Sequence, residues 1–261
     1  MNKFKTLINV LFSKGPREIF RLLFRKVFPV KINDYSIIKR SLQNKGGLEI
    51  GGPSWIFMDN GYIPLYGIIS SLDNCVFSSS TIWSDENDSD KPFHFCKNKT
   101  GKNIIQEATD LSGISDCTYD FVISSHCLEH IANPMKALEE WLRVIKHDGH
   151  FLIAVPNKEK TFDHNRSITE FRHIMADYKN NTSENDMTHL EEILSLHDLK
   201  MDPKAGDYEQ FKQRSLSNAT IRALHHHVFD TQLLMNMLAE FNTEIIFTYS
   251  GEDHVIFGIK K

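Results

Sequence analysis

The chain has 261 residues, of which 41% are hydrophobic and 25% charged, with a formal net charge of −4. That length supports one substantial core, or one core with an elaboration, and the composition excludes a disordered or fibrous chain. Four cysteines, Cys75, Cys96, Cys117 and Cys127, are widely spaced with no C-x-x-C pair, which excludes a disulfide framework or zinc knuckle and fits a reducing cytoplasm.

Residues 1–45 read as a basic amphipathic helical extension. Within residues 1–33, Lys3, Lys5, Lys14, Arg17, Arg21, Arg25, Lys26 and Lys31 stand against only Glu18. Phe4, Leu7, Ile8, Leu11 and Phe12 fall on one helical face, and a second segment follows Gly15-Pro16 through Ile19, Leu22, Leu23 and Val27. Charges interrupt both too often for a spanning helix, and no small-residue cleavage site closes a signal core. The extension is expected to pack on the main domain or on a second copy of the chain. The other reading lays residues 1–30 on an anionic membrane face, a peripheral contact at the inner side.

From residue 46 to 261 the pattern is one of alternating strands and helices. Leu48 to Gly51, Cys75 to Ser78, Asn103 to Glu107, Tyr119 to Ser124 and His150 to Val155 are strand-like runs, several continuously apolar as doubly covered parallel strands are. Pro134 to Lys146 carries an apolar helical face of Met135, Leu138, Leu142 and Ile145, with His147-Asp148-Gly149 as its stop. Alternation ceases over residues 157–229, an insertion holding seven of the thirteen histidines. It resumes with a helix from Asp230 and two strands, Glu244 to Tyr249 and His254 to Lys260, joined tightly enough to form an antiparallel hairpin.

Residues 47–54, GLEIGGPS, pose a functional question. Glycines after a strand let backbone approach a ligand, but G-x-G-x-x-G opening a helix is absent, which counts against a dinucleotide pyrophosphate and an NAD(P)-dependent oxidoreductase.

With LEIGG at 48–52 and TYDFVISSHCLEHIANPMKALEEWLRVIKHDGHFLIAVPN at 118–157, the chain resembles the class I S-adenosylmethionine-dependent methyltransferases. The second stretch is the more specific, with Asp120 opening the fourth strand and Leu128-Glu129-His130 following it. The resemblance implies an α/β, Rossmann-like, seven-stranded, mostly parallel sheet with a C-terminal antiparallel hairpin and helices on both faces. The helical extension precedes it and the helical insertion after the fifth strand caps the substrate. It implies S-adenosyl-L-methionine as cofactor, with Gly51, Gly52 and Pro53 against it and Glu49 helping to hold its cationic amino group. Glu107 would face the adenine edge, and Ser124, Ser125 and His126 the reactive end. The acid expected after the second strand is missing. Ser79 or Ser80 would substitute in holding the ribose, or Asp85 and Glu86 if the strand extends, while Asp73 stands at the wrong end.

Because the insertion leaves and returns on the edge where ligands bind in such sheets, Asp163, His164, Arg166 and His225-His226-His227 should stand near the site. Methyl transfer to a hydroxyl needs a proton acceptor, and a neutral histidine suits that work. In an extended segment His225 and His227 face one way, so they are the preferred bases, with His126 and His164 next. No metal is expected, since Asp186, His189, His197 and Asp198 with His225 and His227 lack tight ligand spacing. The expected acceptor is a small molecule or a glycan or lipid-linked sugar hydroxyl. A SAM-binding protein without turnover is the alternative. Nucleic acid is not expected, because residues 46–261 are net acidic and no N-P-P-Y-type signature follows the fourth strand.

Overall fold

The computed structural model describes residues 31–81 and 91–261. The basic segment 1–30 and the ribose alternatives Asp85 and Glu86 lie outside the described residues.

Seven strands form the central sheet: β1 (Gly46–Ile50), β2 (Ser71–Val76), β5 (Asn103–Ile105), β6 (Tyr119–Ser125), β7 (Ile145–Pro156), β8 (Thr243–Ser250) and β9 (Asp253–Lys260). Their order is β5-β2-β1-β6-β7-β9-β8. The five strands from β5 to β7 are parallel, and β9 inserts antiparallel between β7 and β8. The chain therefore reverses outward from β1 on both sides, and the carboxyl ends of β1, β2, β5 and β6 open onto one edge.

The two faces are covered differently. One carries helices α2 (Pro134–Val144), α3 (Phe171–Asn180) and α7 (Thr231–Leu238), packed through Leu138, Trp141, Ile174, Leu234 and Met237 onto Val122, Phe151 and Ile153. Asn133 caps α2 by accepting from Lys136 N at 3.1 Å, and Asp230 caps α7 by accepting from Leu233 N at 2.7 Å.

The other face carries α1 (Tyr35–Leu42), whose Ile38 and Leu42 are buried against Ile56, Phe57 and Ile69. The C-terminal part of the 1–45 extension is thus core. The connection between β1 and β2 carries one tight turn, Trp55–Phe57. Pro53 and Pro64 break the segment, and a Cβ at Gly61 would strike the Ile56 carbonyl. A hairpin of β3 (Phe93–Cys96) and β4 (Lys99–Gly101) covers the rest through Phe93 and Phe95.

His147-Asp148-Gly149, read from sequence as a helix stop, lies within β7. Pairing steps from Tyr119↔Ile145 to Phe121↔His150, so these residues form a bulge, with Asp148 at φ 56°.

The insertion folds into α3, α4 (Leu190–Leu196), α5 (Tyr208–Leu216) and the short α6 (Asn218–Ile221). Ile193, Ala205, Phe211 and Leu224 give it a small core of its own. Its base is laced shut: Thr169 N donates to Val228 O at 2.9 Å, and Val228 N donates to Thr169 Oγ1 at 3.0 Å. Among the described residues no helix is long and apolar enough to cross a membrane.

Candidate active site

A cavity of about 820 Å³ stands on the carboxyl edge of the sheet. The glycine turn forms one wall with Gly51, Gly52 and Pro53, the end of β5 another with Gln106, Glu107 and Ala108, and the end of β6 a third with Ser125 and His126. The insertion closes the far side with Phe162, Arg222 and His225. Gly51 has φ +80°, a conformation few side chains adopt.

Asn74 of β2 holds this turn. Its Oδ1 accepts from Gly52 N at 2.9 Å and its Nδ2 donates to Gly52 O at 3.2 Å. Glu49 supports the turn from behind. Its fully buried carboxylate accepts from Ser54 N at 3.0 Å, from Ser54 Oγ at 2.6 Å and from Tyr66 Oη at 2.8 Å. A Cβ at Gly52 would land on that carboxylate. Burial pushes the Glu49 carboxyl up to about 7 against the lowering effect of Ser54 and Tyr66. Glu49 does not line the cavity, and its carboxylate oxygens are taken up by Ser54 and Tyr66. Its place on β1 turns it inward, where it serves the geometry of the turn.

Glu107 and Ser125 do line the cavity, whereas Ser124 lies behind it with its hydroxyl on Ile50 O at 3.3 Å. Ser79 is exposed past the end of β2 and does not line the cavity, while Phe77 and Thr81 do. Asp73 sits inside β2, accepting from Lys102 N at 2.9 Å and from Tyr119 Oη at 2.8 Å, on the amino side of the strand.

The histidines separate sharply. His225 lines the cavity, and its Nδ1 bonds the Asp163 carboxylate, which Arg166 holds from its other oxygen at 3.1 Å. Arg166 also donates to His225 O at 2.8 Å and to His226 O at 3.2 Å, fixing the backbone that carries the imidazole. Burial pushes the Asp163 carboxyl up, but His225 and Arg166 outweigh it and hold it well below the usual carboxylate range. His227 does not line this cavity: its Nε2 approaches Ala132 O at 3.2 Å, and its ring packs against His173 and His189. The lacing at Thr169 and the Arg166 bonds set the segment so that only His225 reaches the cavity. His164 is also remote, with its Nε2 on Asp198 Oδ2 at 3.1 Å.

His126 lines the cavity with its Nε2 on Asp253 Oδ1 at 2.8 Å. Burial pulls this imidazole down, but the bond to Asp253 and the charges of Glu129 and Asp253 raise it to about 9. The bond to Asp253 favours the protonated ring, the form that has no lone pair with which to accept a proton.

Two further residues were given no role from sequence. Both carboxylate oxygens of Glu129 are buried on the cavity wall with no hydrogen-bond partner, and burial raises its carboxyl above the usual range. A metal is one way to satisfy it, since Glu129, His130 and His225 offer donor atoms within 4.8 Å of one another. Arg222, in a left-handed conformation at φ 58°, reaches Glu107 at 2.7 Å and Glu184 at 2.9 Å and covers the Phe77 ring at 5.2 Å. Glu129 stood in the quoted Leu-Glu-His, a visible signal, whereas nothing near Arg222 in sequence marks it.

The cavity fits S-adenosylmethionine on its own chemistry. Its walls are largely apolar, as an adenosyl group requires, and the orphaned Glu129 carboxylate suits a ligand bearing positive charge. The strand order has an antiparallel strand in the penultimate position, and the glycine turn stands on the edge where ligands bind in open α/β sheets. Residues 87–153 match the family model described as a methyltransferase domain. Among solved structures the chain is similar to a SAM-dependent methyltransferase from Aquifex aeolicus, at 12% identity and TM-score 0.47 over 95% of this chain and 99% of that one. It is also similar to a SAM-dependent methyltransferase from Methanosarcina mazei, at 18% identity and TM-score 0.47 over 86% and 96%. No curated protein matches the chain.

Proposed function

We propose that the chain methylates a hydroxyl of a small-molecule or glycan acceptor, a lipid-linked sugar included, with His225 as general base. The observation that carries this reading is the His225–Asp163 pair at the cavity wall, buried and clamped by Arg166. S-adenosylmethionine supplies an electrophilic methyl group on a sulfonium.

The Asp163 carboxylate accepts a hydrogen bond from Nδ1–H of His225, which fixes the tautomer and leaves Nε2 to accept the hydroxyl proton as the oxygen becomes nucleophilic. In this reading Glu107 and Glu129, both on the cavity wall, serve the cofactor, Glu107 by accepting from the adenosine portion and Glu129 by offsetting positive charge. The exposed indole of Trp55 at the cavity rim offers a flat apolar face to a sugar ring, which supports the glycan reading.

The test compares the parent chain with His225→Gln, using labelled SAM retention and release of S-adenosylhomocysteine across a panel of hydroxyl acceptors. The expected result is SAM retained by both and turnover lost in the variant. Full turnover in His225→Gln would remove the base from His225.

A further inference from the structure

Away from the cavity, three elements of the insertion bring four ligand-type side chains together. His173 and Asp177 stand one turn apart on α3, His189 immediately precedes α4, and His227 comes from the extended segment before α7. One ring nitrogen from each histidine and one Asp177 oxygen lie within 4.8 Å of one another. His173 Nε2 is 2.9 Å from His189 Nε2 and 3.2 Å from Asp177 Oδ2, and His227 Nε2 is 3.6 Å from the same oxygen. Tetrahedral coordination with bonds of about 2.0–2.1 Å puts donors roughly 3.3 Å apart, in the middle of these values. The rings meet edge to face, at 87° for His173 and His189 and 80° for His189 and His227, as rings pointing at a common centre do.

Internal hydrogen bonds satisfy this cluster only in part, since His227 Nε2 also meets Ala132 O at 3.2 Å while its Nδ1 meets no partner. Two imidazole Nε2 atoms in contact share at most one proton. Asp177 Oδ2 and His227 Nδ1 are buried with no hydrogen-bond partner, a costly arrangement for atoms that nothing else addresses. The outer contacts are those of ligands held in place. Thr182 Oγ1 donates to Asp177 Oδ1 at 3.0 Å, leaving Oδ2 turned inward, and the Glu192 carboxylate stands 3.7 Å from His189 Nδ1.

We propose that His173, Asp177, His189 and His227 bind one divalent transition-metal ion, with Zn²⁺ the best match, as a structural centre that ties the cap together. Three imidazoles and one carboxylate, with no thiolate and no ring of oxygens, select a borderline cation over Ca²⁺, Mg²⁺ or a soft ion. None of the four lines the cavity, so the ion holds structure. It pins His227, two residues from His225, and thereby the segment that delivers His225 to the cavity wall. The proposal does not depend on the role assigned to His225.

The test uses the full chain without a histidine tag. Elemental analysis after exhaustive dialysis should find about one zinc per chain. Chelator treatment should lower the thermal midpoint, and Zn²⁺ alone should restore it. Co²⁺ in its place should give the visible absorption of a four-coordinate nitrogen and oxygen site. Asp177→Asn and His189→Gln should weaken Zn²⁺ binding at least tenfold, while Asp186→Asn, outside the set, should not. The metal content and Co²⁺ spectrum of the parent chain decide the matter even if a variant fails to fold. Absence of stoichiometric metal together with no saturable Zn²⁺ binding by calorimetry overturns the proposal, as does parent-like binding by both Asp177→Asn and His189→Gln.

Discussion

Asn74 grips Gly52 by both sides of its backbone, accepting from its N–H and donating to its carbonyl from the neighbouring strand. The same amide also donates to Asn103 Oδ1 at 3.2 Å, so the turn, β2 and β5 share one side chain. Asn74→Ala would leave buried backbone groups of Gly52 without partners, at about 1–3 kcal/mol. We expect urea unfolding to show that loss and calorimetry to show weakened SAM binding. A variant with parent stability and affinity would mean the turn holds itself.

Glu49 supplies a second test of the turn, because its partners need acceptors more than they need charge. Glu49→Gln can still accept from Ser54 and can donate to Tyr66, so SAM affinity should stay within a few-fold of the parent. Glu49→Ala strips the acceptor of Ser54 Oγ and of the Tyr66 hydroxyl, leaving Ser54 N on Tyr66 Oη at 2.7 Å, and should lower affinity tenfold or more, about 1.4 kcal/mol. If Glu49→Gln loses as much as Glu49→Ala, the charge itself matters and a direct cofactor contact returns.

Asp163 offers a separation of positioning from binding. Asp163→Asn keeps the volume but offers an N–H or a neutral oxygen to His225 Nδ1, so the tautomer is no longer fixed. Turnover should fall roughly 10²-fold to 10⁴-fold with SAM affinity nearly intact. Unchanged turnover in Asp163→Asn would make the pair structural.

Two buried histidines set an acid limit on stability. His150 stacks on Phe257 at 5.3 Å, and His197 lies between Phe162 at 4.3 Å and Phe211 at 4.2 Å. Burial lowers both imidazoles to about 4. The unfolded chain binds more protons than the folded one from about 6.5 downward, so their contribution is present above that pH and lost as pH falls toward about 4. Each adds up to about 1.4 kcal/mol per pH unit to the slope. Denaturant midpoints measured across this window should fall steeply in the parent and less in His150→Phe/His197→Phe. Parallel curves would assign the acid sensitivity elsewhere.

What was legible in sequence followed from local periodicity. The parallel strands, α2 with its proline start, Asp230 at the head of α7 and the terminal hairpin all carry their signals within a few residues of themselves. Other features depend on partners far along the chain. The β3–β4 hairpin has alternate phenylalanines too short to read, and the connection between β1 and β2 takes its shape from packing against α1. At the site, Glu107 and the glycine turn were accessible because they sit at strand ends. His227 was misplaced because alternation tells which residues share a face and not how far each reaches. The α3 pair His173 and Asp177 had ligand spacing in plain view, but its remaining partners stand 12 and 50 residues beyond Asp177.

Because Thr169 and Val228 close the insertion at its neck, what lies between them is mechanically a loop with joined ends. A segment joined in this way can be lengthened, shortened or exchanged without altering the distance its host must span, which is the condition under which chains tolerate grafts. Acceptor choice can therefore diverge in this cap while the strands beneath it stay as they are, and chimeras cut at Thr169 and Val228 should inherit the acceptor preference of the donor of the cap.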